Sequence, residues 1–280
     1  MKRSASVACA WLVLAVPVCF GQSPMDGVAA SVFAGPEPGK YEISFTVSAP
    51  SIPRTILTGR PYSGEEASRQ TRTLADGTRT VQPGPSAVKY RDSSGRIRTE
   101  RRALRPMGMI NWIDPPIVPE IVDPVAGFVY YLDPVNRVAH RTVLTPESFR
   151  IVDAPPDANY PASVRREKDL VRTVEPLGTD VIGGIEVQGS RITTTYAVDS
   201  LGDDSPLKAI LEIWTSPELG LTILSKNSDP RTGEFTNEVL NIRRGEPDPS
   251  LFRVPQGYKI VDEPILPFTF TVSGSGAAKR

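Results

Sequence analysis

Polar and apolar residues alternate with a period of two along most of the chain, and residues suited to tight turns separate the runs. The pattern is sharpest from Ala209 to Tyr258. Ala209–Ser216 (AILEIWTS) places Leu211, Ile213 and Thr215 on one side of a strand and Ile210, Glu212 and Trp214 on the other. The pleat sends successive side chains to opposite faces, so this strand is bulky and apolar on both. Leu221–Ser225 and Glu234–Arg244 are the next two strands. Pro217-Glu218-Leu219-Gly220 and Asp229-Pro230-Arg231-Thr232-Gly233 are the turns between them, with Pro pre-setting φ and Gly tolerating positive φ. Links this short join antiparallel neighbours, so the three strands form a meander.

The same signals recur upstream. Tyr41–Ser48 alternates Tyr41, Ile43, Phe45 and Val47 against polar residues and reads as a half-buried strand. Two hairpins follow: Ser68–Leu74 with Thr78–Gln82 around Ala75-Asp76-Gly77, and Ser86–Arg91 with Arg96–Arg102 around Asp92-Ser93-Ser94-Gly95. These strands are polar on both faces, which predicts a place near a sheet edge or on a wet surface. Pro106–Pro119 is an apolar, Pro-rich loop carrying Trp112. Gly127–Leu132 and Arg137–Leu144 flank Asp133-Pro134-Val135-Asn136, and Arg172–Ile182 and Ile185–Ala197 flank Gly183-Gly184. Ala162–Leu170 (ASVRREKDL) is the one segment with the composition of a short helix. About a dozen strands joined mostly by tight turns predict a mainly β protein. Its centre is a single large curved antiparallel sheet, a half-barrel or open barrel, with little helix.

Composition adds a compartment. Lys2 and Arg3 precede the apolar run Val7–Phe20, which is too short for the roughly 20 residues of a bilayer-spanning helix. Residues 1–21 therefore read as a secretory signal cleaved after Gly21, with Ala30 and Ala34 as the other small-residue positions. Residues 22–40 read as a flexible lead-in, 41–263 as the β-rich domain and 264–280 as a terminal strand and disordered tail. The expected location is periplasmic or secreted, with no transmembrane segment after cleavage. Both cysteines, Cys9 and Cys19, lie in the signal, so the core must hold the fold without disulfides. Twenty-eight prolines and 22 glycines fit many turns rather than long helices. Charge is balanced overall, with 32 basic and 32 acidic residues, but Arg54–Arg105 holds 12 basic against 5 acidic, a net of +7. Such asymmetry can mark an anionic partner, with Arg96, Arg98, Arg101 and Arg102 as its candidate surface.

Catalytic and metal chemistry is sparse. His140 is the single histidine; it sits inside a predicted strand, and no Gly-x-Ser-x-Gly elbow accompanies it. Ser86-Ala87-Val88-Lys89 and Ser205-Pro206-Leu207-Lys208 match Ser-x-x-Lys but lack the companion motifs. One His and no mature Cys give no metal site, and no Gly-rich phosphate loop or other cofactor motif occurs. Asp199, Asp203 and Asp204 fit no regular calcium loop. The Arg-rich hairpins lack interleaved aromatics, which argues against nucleic acid. Two carboxylates brought together from separate strands, as in glycoside hydrolysis, are the one enzymatic alternative the pattern leaves.

Five blocks carry a resemblance: TLADGTRTV, KYRDSSGRIRTE, IVDPVAGFVYYLDPVNRVAHR, EPLGTDVIGGIEVQGSRIT and SPELGLTILSKNSDPRTGEFTNEVLNIRRGEPDPSLFRVPQGY. Together they resemble an uncharacterised group of exported bacterial proteins over roughly residues 58–262. The meander followed by Pro-Asp-Pro-Ser-Leu-Phe and Val-Pro-x-Gly-Tyr is also similar to the lipoprotein-carrier, LolA-like half-barrel class. That resemblance implies a curved sheet that binds acyl chains or envelope proteins. The expected function is a non-enzymatic envelope protein holding a lipid, another apolar ligand or a protein partner, with Trp112, Phe128, Tyr130, Trp214 and Phe235 as candidate contacts. A structural or adhesive protein using its basic hairpins on anionic polymers is the alternative from a different class.

Overall fold

The structure, a computed structural model, describes residues 28–34, 40–47, 53–74, 76–102, 117–145, 147, 149–154, 161–167, 169–198, 205–263 and 268–275. Strands β1 (Val28–Ala34) and β2 (Lys40–Val47) open the chain, followed by β3 (Thr55–Leu57), β4 (Tyr62–Thr73), β5 (Arg79–Arg91) and β6 (Ile97–Arg102). Next come β7 (Ile117–Asp123), β8 (Phe128–Asp133), β9 (Val138–Val143), β10 (Arg150–Val152), β11 (Ser163–Arg166), β12 (Leu170–Ile182) and β13 (Ile185–Tyr196). The meander strands are β14 (Leu207–Ser216), β15 (Leu221–Asp229) and β16 (Gly233–Arg244), and β17 (Lys259–Asp262) and β18 (Phe268–Ser275) close the chain.

Thirteen strands form one sheet in the order β11-β12-β13-β14-β15-β16-β4-β5-β6-β7-β8-β9-β17. Neighbours are antiparallel except β17, which runs parallel to β9. Among the described residues the sheet does not close, and β11 and β17 are its edges. Small sheets accompany it: β1-β2-β18, and β3 with β10. The mainly β, open-sheet architecture is the one the alternation predicts.

Several local expectations change. The segment 162–170 is not a helix: Ser163–Arg166 pairs with the first residues of β12, and Glu167 N–H donates to Leu170 O at 2.9 Å to close the turn. A single short helix is expensive to nucleate, whereas the free edge of β12 satisfies this backbone directly. The two strands read on either side of Pro83-Gly84-Pro85 are one strand, β5. Its register with β4 slips between Ala67↔Ser86 and Arg69↔Pro83, so Gly84 and Pro85 form a bulge that takes Pro85, which has no N–H to donate, out of the ladder. Within the 22–40 stretch, β1 pairs with β2 from Val28↔Val47 to Ala34↔Tyr41.

The basic strands are also not at an edge. β4 and β5 lie in the middle of the sheet, joined to the meander where β4 pairs with β16. Cross-strand ion pairs make this position tolerable: Lys89 with Glu66 at 2.6 Å, Arg69 with Glu238 at 2.5 Å, and Arg101 with Glu120 at 2.8 Å. Opposite charges facing each other across strands let polar positions occupy the interior of a sheet.

The two Asp-Pro-Val turns show how sequence sets register. Asp123 Oδ1 accepts from the N–H groups of Val125 and Ala126, and Asp133 Oδ1 accepts from those of Val135 and Asn136. This is the Asx turn that makes aspartate a turn former. Each turn ends on a left-handed residue, Gly127 at φ 75° in the first and Arg137 at φ 54° in the second. Arg137 carries the steric cost that glycine avoids. Arg137→Gly is therefore expected to raise stability by about 1 kcal/mol; a lower urea midpoint for the variant would refute the strain.

Among the described residues, two apolar clusters anchor the sheet. Ile121, Leu132 and Ala139 are buried beneath Tyr130, Val254 and Tyr258. The 3-10 turn Pro249–Phe252 is capped by Asp248, whose side chain accepts from Ser250 N–H, and Phe252 is buried beside Arg96. The Pro-Asp-Pro-Ser-Leu-Phe segment thus leads the chain back over β6 to β9. The second cluster joins Tyr62, Ile185, Val187, Leu219 and Ile223, with Trp214 and Ile242 packed against it. The left-handed Asn241 (φ 52°) sits where β16 places two residues opposite Gly64 of β4, and Gly64 leaves room for Val239 and Ile242.

Candidate functional site

The register across β5 to β9 aligns Lys89, Thr99, Glu120, Tyr131 and His140 in one row, all on the same face. Thr99, Glu120 and Tyr131 are buried. The Glu120 carboxylate accepts from Arg101 Nη1 at 2.8 Å and from the Tyr131 hydroxyl at 3.2 Å. Burial and the adjacent Glu120 carboxylate push the Tyr131 phenol far above its ordinary range, so it stays a donor. Burial works against the Lys89 ammonium, but Glu66, aided by Tyr62, outweighs it and leaves the Lys89 pKa above the usual lysine range. His140 closes the row. Its Nδ1 lies 2.8 Å from Glu263 Oε1, and its ring stacks on Phe270 at 4.6 Å between centroids. The row is a network of satisfied charges inside the fold.

The other buried carboxylates are similarly committed. Asp92 accepts from Arg96 N–H at 2.8 Å and pairs with its Nε at 2.5 Å, and Asp133 caps its turn. These carboxyl groups hold turns and ion pairs together.

The predicted basic surface is spent in the same way at three of its four residues. Arg96 pairs with Asp92 and lies over Phe252; Arg98 pairs with Glu100 at 2.7 Å and donates to Leu251 O at 3.0 Å; Arg101 pairs with Glu120. Arg102 ends β6, and its side chain lies outside the described residues. Asp92 and Glu100 are legible as partners, four residues before Arg96 across its turn and two residues after Arg98 on the same strand face. Glu120 and Leu251 are not, because they reach the arginines only through the pairing of β6 with β7 and the fold-back of the C-terminal segment.

The predicted apolar contacts fall in separate places. Phe128 and Tyr130 are neighbours on β8, with ring centroids 6.2 Å apart, and Arg141 lies over Phe128 at 4.5 Å. Tyr130 packs on the cluster covered by Val254 and Tyr258. Trp214 is seven strands away in the sheet order, roughly 34 Å along its surface at ~4.8 Å per strand. Phe235 is half-buried on β16, opposite Asn227 and Gln70. Trp112 and the acidic residues Asp199, Asp203 and Asp204 lie outside the described residues.

The half of the sheet from β11 to β16 differs from the half around β7 and β8. In β14, Ile210, Leu211, Ile213 and Trp214 are all only half-buried, although the strand has a neighbour on each side. Because these residues alternate in facing, both faces of the sheet are left partly open here. Next to them on β13, Ile192 is half-buried while Ile185 and Val187 are buried. Gly189 stands directly opposite Trp214, and a Cβ on it would meet Trp214 Cζ3 at 2.5 Å, so the indole lies against bare backbone. This glycine, unremarked in the sequence pattern, seats the one aromatic of the strand.

No family model and no curated protein matches the chain. Among solved structures it is similar to an uncharacterized conserved protein from Thermus thermophilus, at 9% identity and a TM-score of 0.36, over 72% of this chain and 90% of that one. It is also similar to a LolA superfamily protein from Nitrosomonas europaea, at 9% identity and a TM-score of 0.26, over 71% of this chain and 92% of that one. At this level the likeness concerns the path of the backbone alone.

Proposed function

We propose that the protein is an exported binding protein of the cell envelope that holds an apolar ligand against the β11 to β16 half of its sheet. The observation that carries this reading is the half-open apolar strand β14, in the interior of the sheet, with Ile210, Leu211, Ile213 and Trp214 incompletely covered on both faces. Large apolar side chains left incompletely covered in the interior of a sheet are costly, and their retention supports a contact surface. The charged start and short apolar run of residues 1–21 support export. The engagement of His140 and of the buried carboxylates in internal bonds favours binding over hydrolysis.

Native mass spectrometry of the purified mature protein, followed by solvent extraction, tests the reading. The expected result is a co-purifying lipid or other apolar molecule that is lost in Leu211→Lys, with the fold retained by circular dichroism. A stripped protein that takes up no apolar ligand would overturn the proposal.

A further inference from the structure

The edge of the same half-sheet carries a juxtaposition that its neighbours do not explain. In the β11–β12 register, Arg165 stands directly opposite Arg172. Like charges in that position repel, and sheets usually place opposite charges or neutral residues there. Elsewhere in this protein the facing positions do so, as with Arg191 opposite Glu212, bonded at 2.7 Å. Both Arg165 and Arg172 are exposed. Glu167 pairs with Nε of Arg165 at 2.9 Å, and no carboxylate among the described residues pairs with Arg172.

The register shows what lies beside the two guanidinium groups. Their row continues through Thr194 of β13 to Ala209 of β14. Two residues further along each strand, about 7 Å away, the same face carries the row Val174, Ile192 and Leu211. A further step of about 7 Å brings Pro176, Ser190 and Ile213. Val174, Ile192, Leu211 and Ile213 are half-buried, so an apolar stripe begins where the paired arginines end. An apolar stripe headed by Arg172, which has no carboxylate partner among the described residues, and by Arg165, whose pair with Glu167 is exposed to solvent, is complementary to a molecule with a hydrocarbon tail and an anionic head. Guanidinium groups bind carboxylate and phosphate oxygens through strong charge-assisted hydrogen bonds.

We infer that the ligand of this half-sheet is an anionic amphiphile, its head held by Arg165 and Arg172 and its chain laid along Val174, Ile192, Leu211 and Ile213. This rests on the apolar-ligand reading above and adds the chemistry of the head group.

Titration calorimetry of the delipidated mature protein with decanoate and with 1-decanol, which share a chain and differ in head charge, separates the two. Decanoate is expected to bind about tenfold more tightly than decanol, the scale of one charge-assisted hydrogen bond. Arg172→Gln and the double variant R165E/R172E should lose that advantage while binding decanol as before, and rising salt should weaken decanoate alone. Equal binding of the two probes, or decanoate binding unchanged in both variants, would overturn the anionic head and leave the apolar-ligand reading intact. Binding of neither probe by the unaltered protein would overturn both. Sedimentation with phosphatidylglycerol vesicles provides the last arm: retention on vesicles without decanoate binding would assign the arginines to a membrane surface and overturn the inference. Decanoate binding without retention supports it.

Discussion

Gly189→Val is expected to destabilise the protein by about 3 kcal/mol, at the upper end of the usual cost of overpacking. A Cβ at this position would approach Trp214 Cζ3 to 2.5 Å and Cε3 to 2.7 Å, inside any real contact distance. The indole must leave its seat, and with it goes packing against Ile185, Val187 and Ile223. Two readouts report the change: a lower urea midpoint and a red shift of tryptophan emission as Trp214 gains water. Because the clash needs both partners, adding Trp214→Ala to Gly189→Val should cost less than the sum of the single changes. An unaltered midpoint and emission spectrum in Gly189→Val would show that the glycine is not there for the indole.

Glu120→Ala carries the other large effect, an expected loss of about 3–5 kcal/mol. Glu120 is only 2% exposed, and its removal leaves the Arg101 guanidinium and the Tyr131 hydroxyl without the acceptor they share. Breaking a buried ion pair from one side costs more than replacing both sides, so the double variant E120L/R101M should be more stable than Glu120→Ala. Tyr131→Phe removes the hydrogen bond to Glu120 and leaves the Glu120–Arg101 ion pair, with an expected cost of about 1 kcal/mol. Chemical denaturation of the three variants checks the order. A Glu120→Ala protein as stable as Tyr131→Phe would mean that the carboxylate contributes nothing beyond the tyrosine bond.

Both residues illustrate what is legible in a sequence. The strands holding Gly189 and Trp214 are plain from the alternation of IEVQGSRIT and AILEIWTS, and the Gly183-Gly184 turn sets their hairpin. That Gly189 faces Trp214 is not legible, because it depends on the register between β13 and β14, which no tight-turn signal between Tyr196 and Leu207 fixes. Similarly, Arg101 and Glu120 are ordinary polar positions of two strands until β6 pairs with β7. The candidate apolar contacts stand out in the sequence only as bulky residues on strands. Their dispersal follows from sheet order: Phe128 and Tyr130 fall under the returning segment at Val254 and Tyr258, whereas Trp214 falls in the half-open part. The helix expected over 162–170 does not form because composition cannot weigh a free strand edge against a helix too short to nucleate.

The sequence by itself determined the class of the protein. Period-two alternation, recurring Asp-Pro, Asp-Gly and Gly-Gly turns and the absence of long helical stretches specify antiparallel strands, since these signals act over a few residues and depend on local sterics and pleating. Only the tertiary structure decided which strands meet across long separations: β16 with β4, β17 with β9, and the fold-back of Pro249–Phe252. Those pairings bring the basic strands to the centre of the sheet, where Glu66, Glu120 and Glu238 meet their charge; the facing of Arg165 and Arg172 comes instead from the local β11–β12 turn. Burial and cross-sheet charge pairing depend on neighbours distant in the chain, so Arg96, Arg98 and Arg101, which read as a basic surface, are held in internal bonds, and the apolar row beside Arg165 and Arg172 is completed only where β13 pairs with β14.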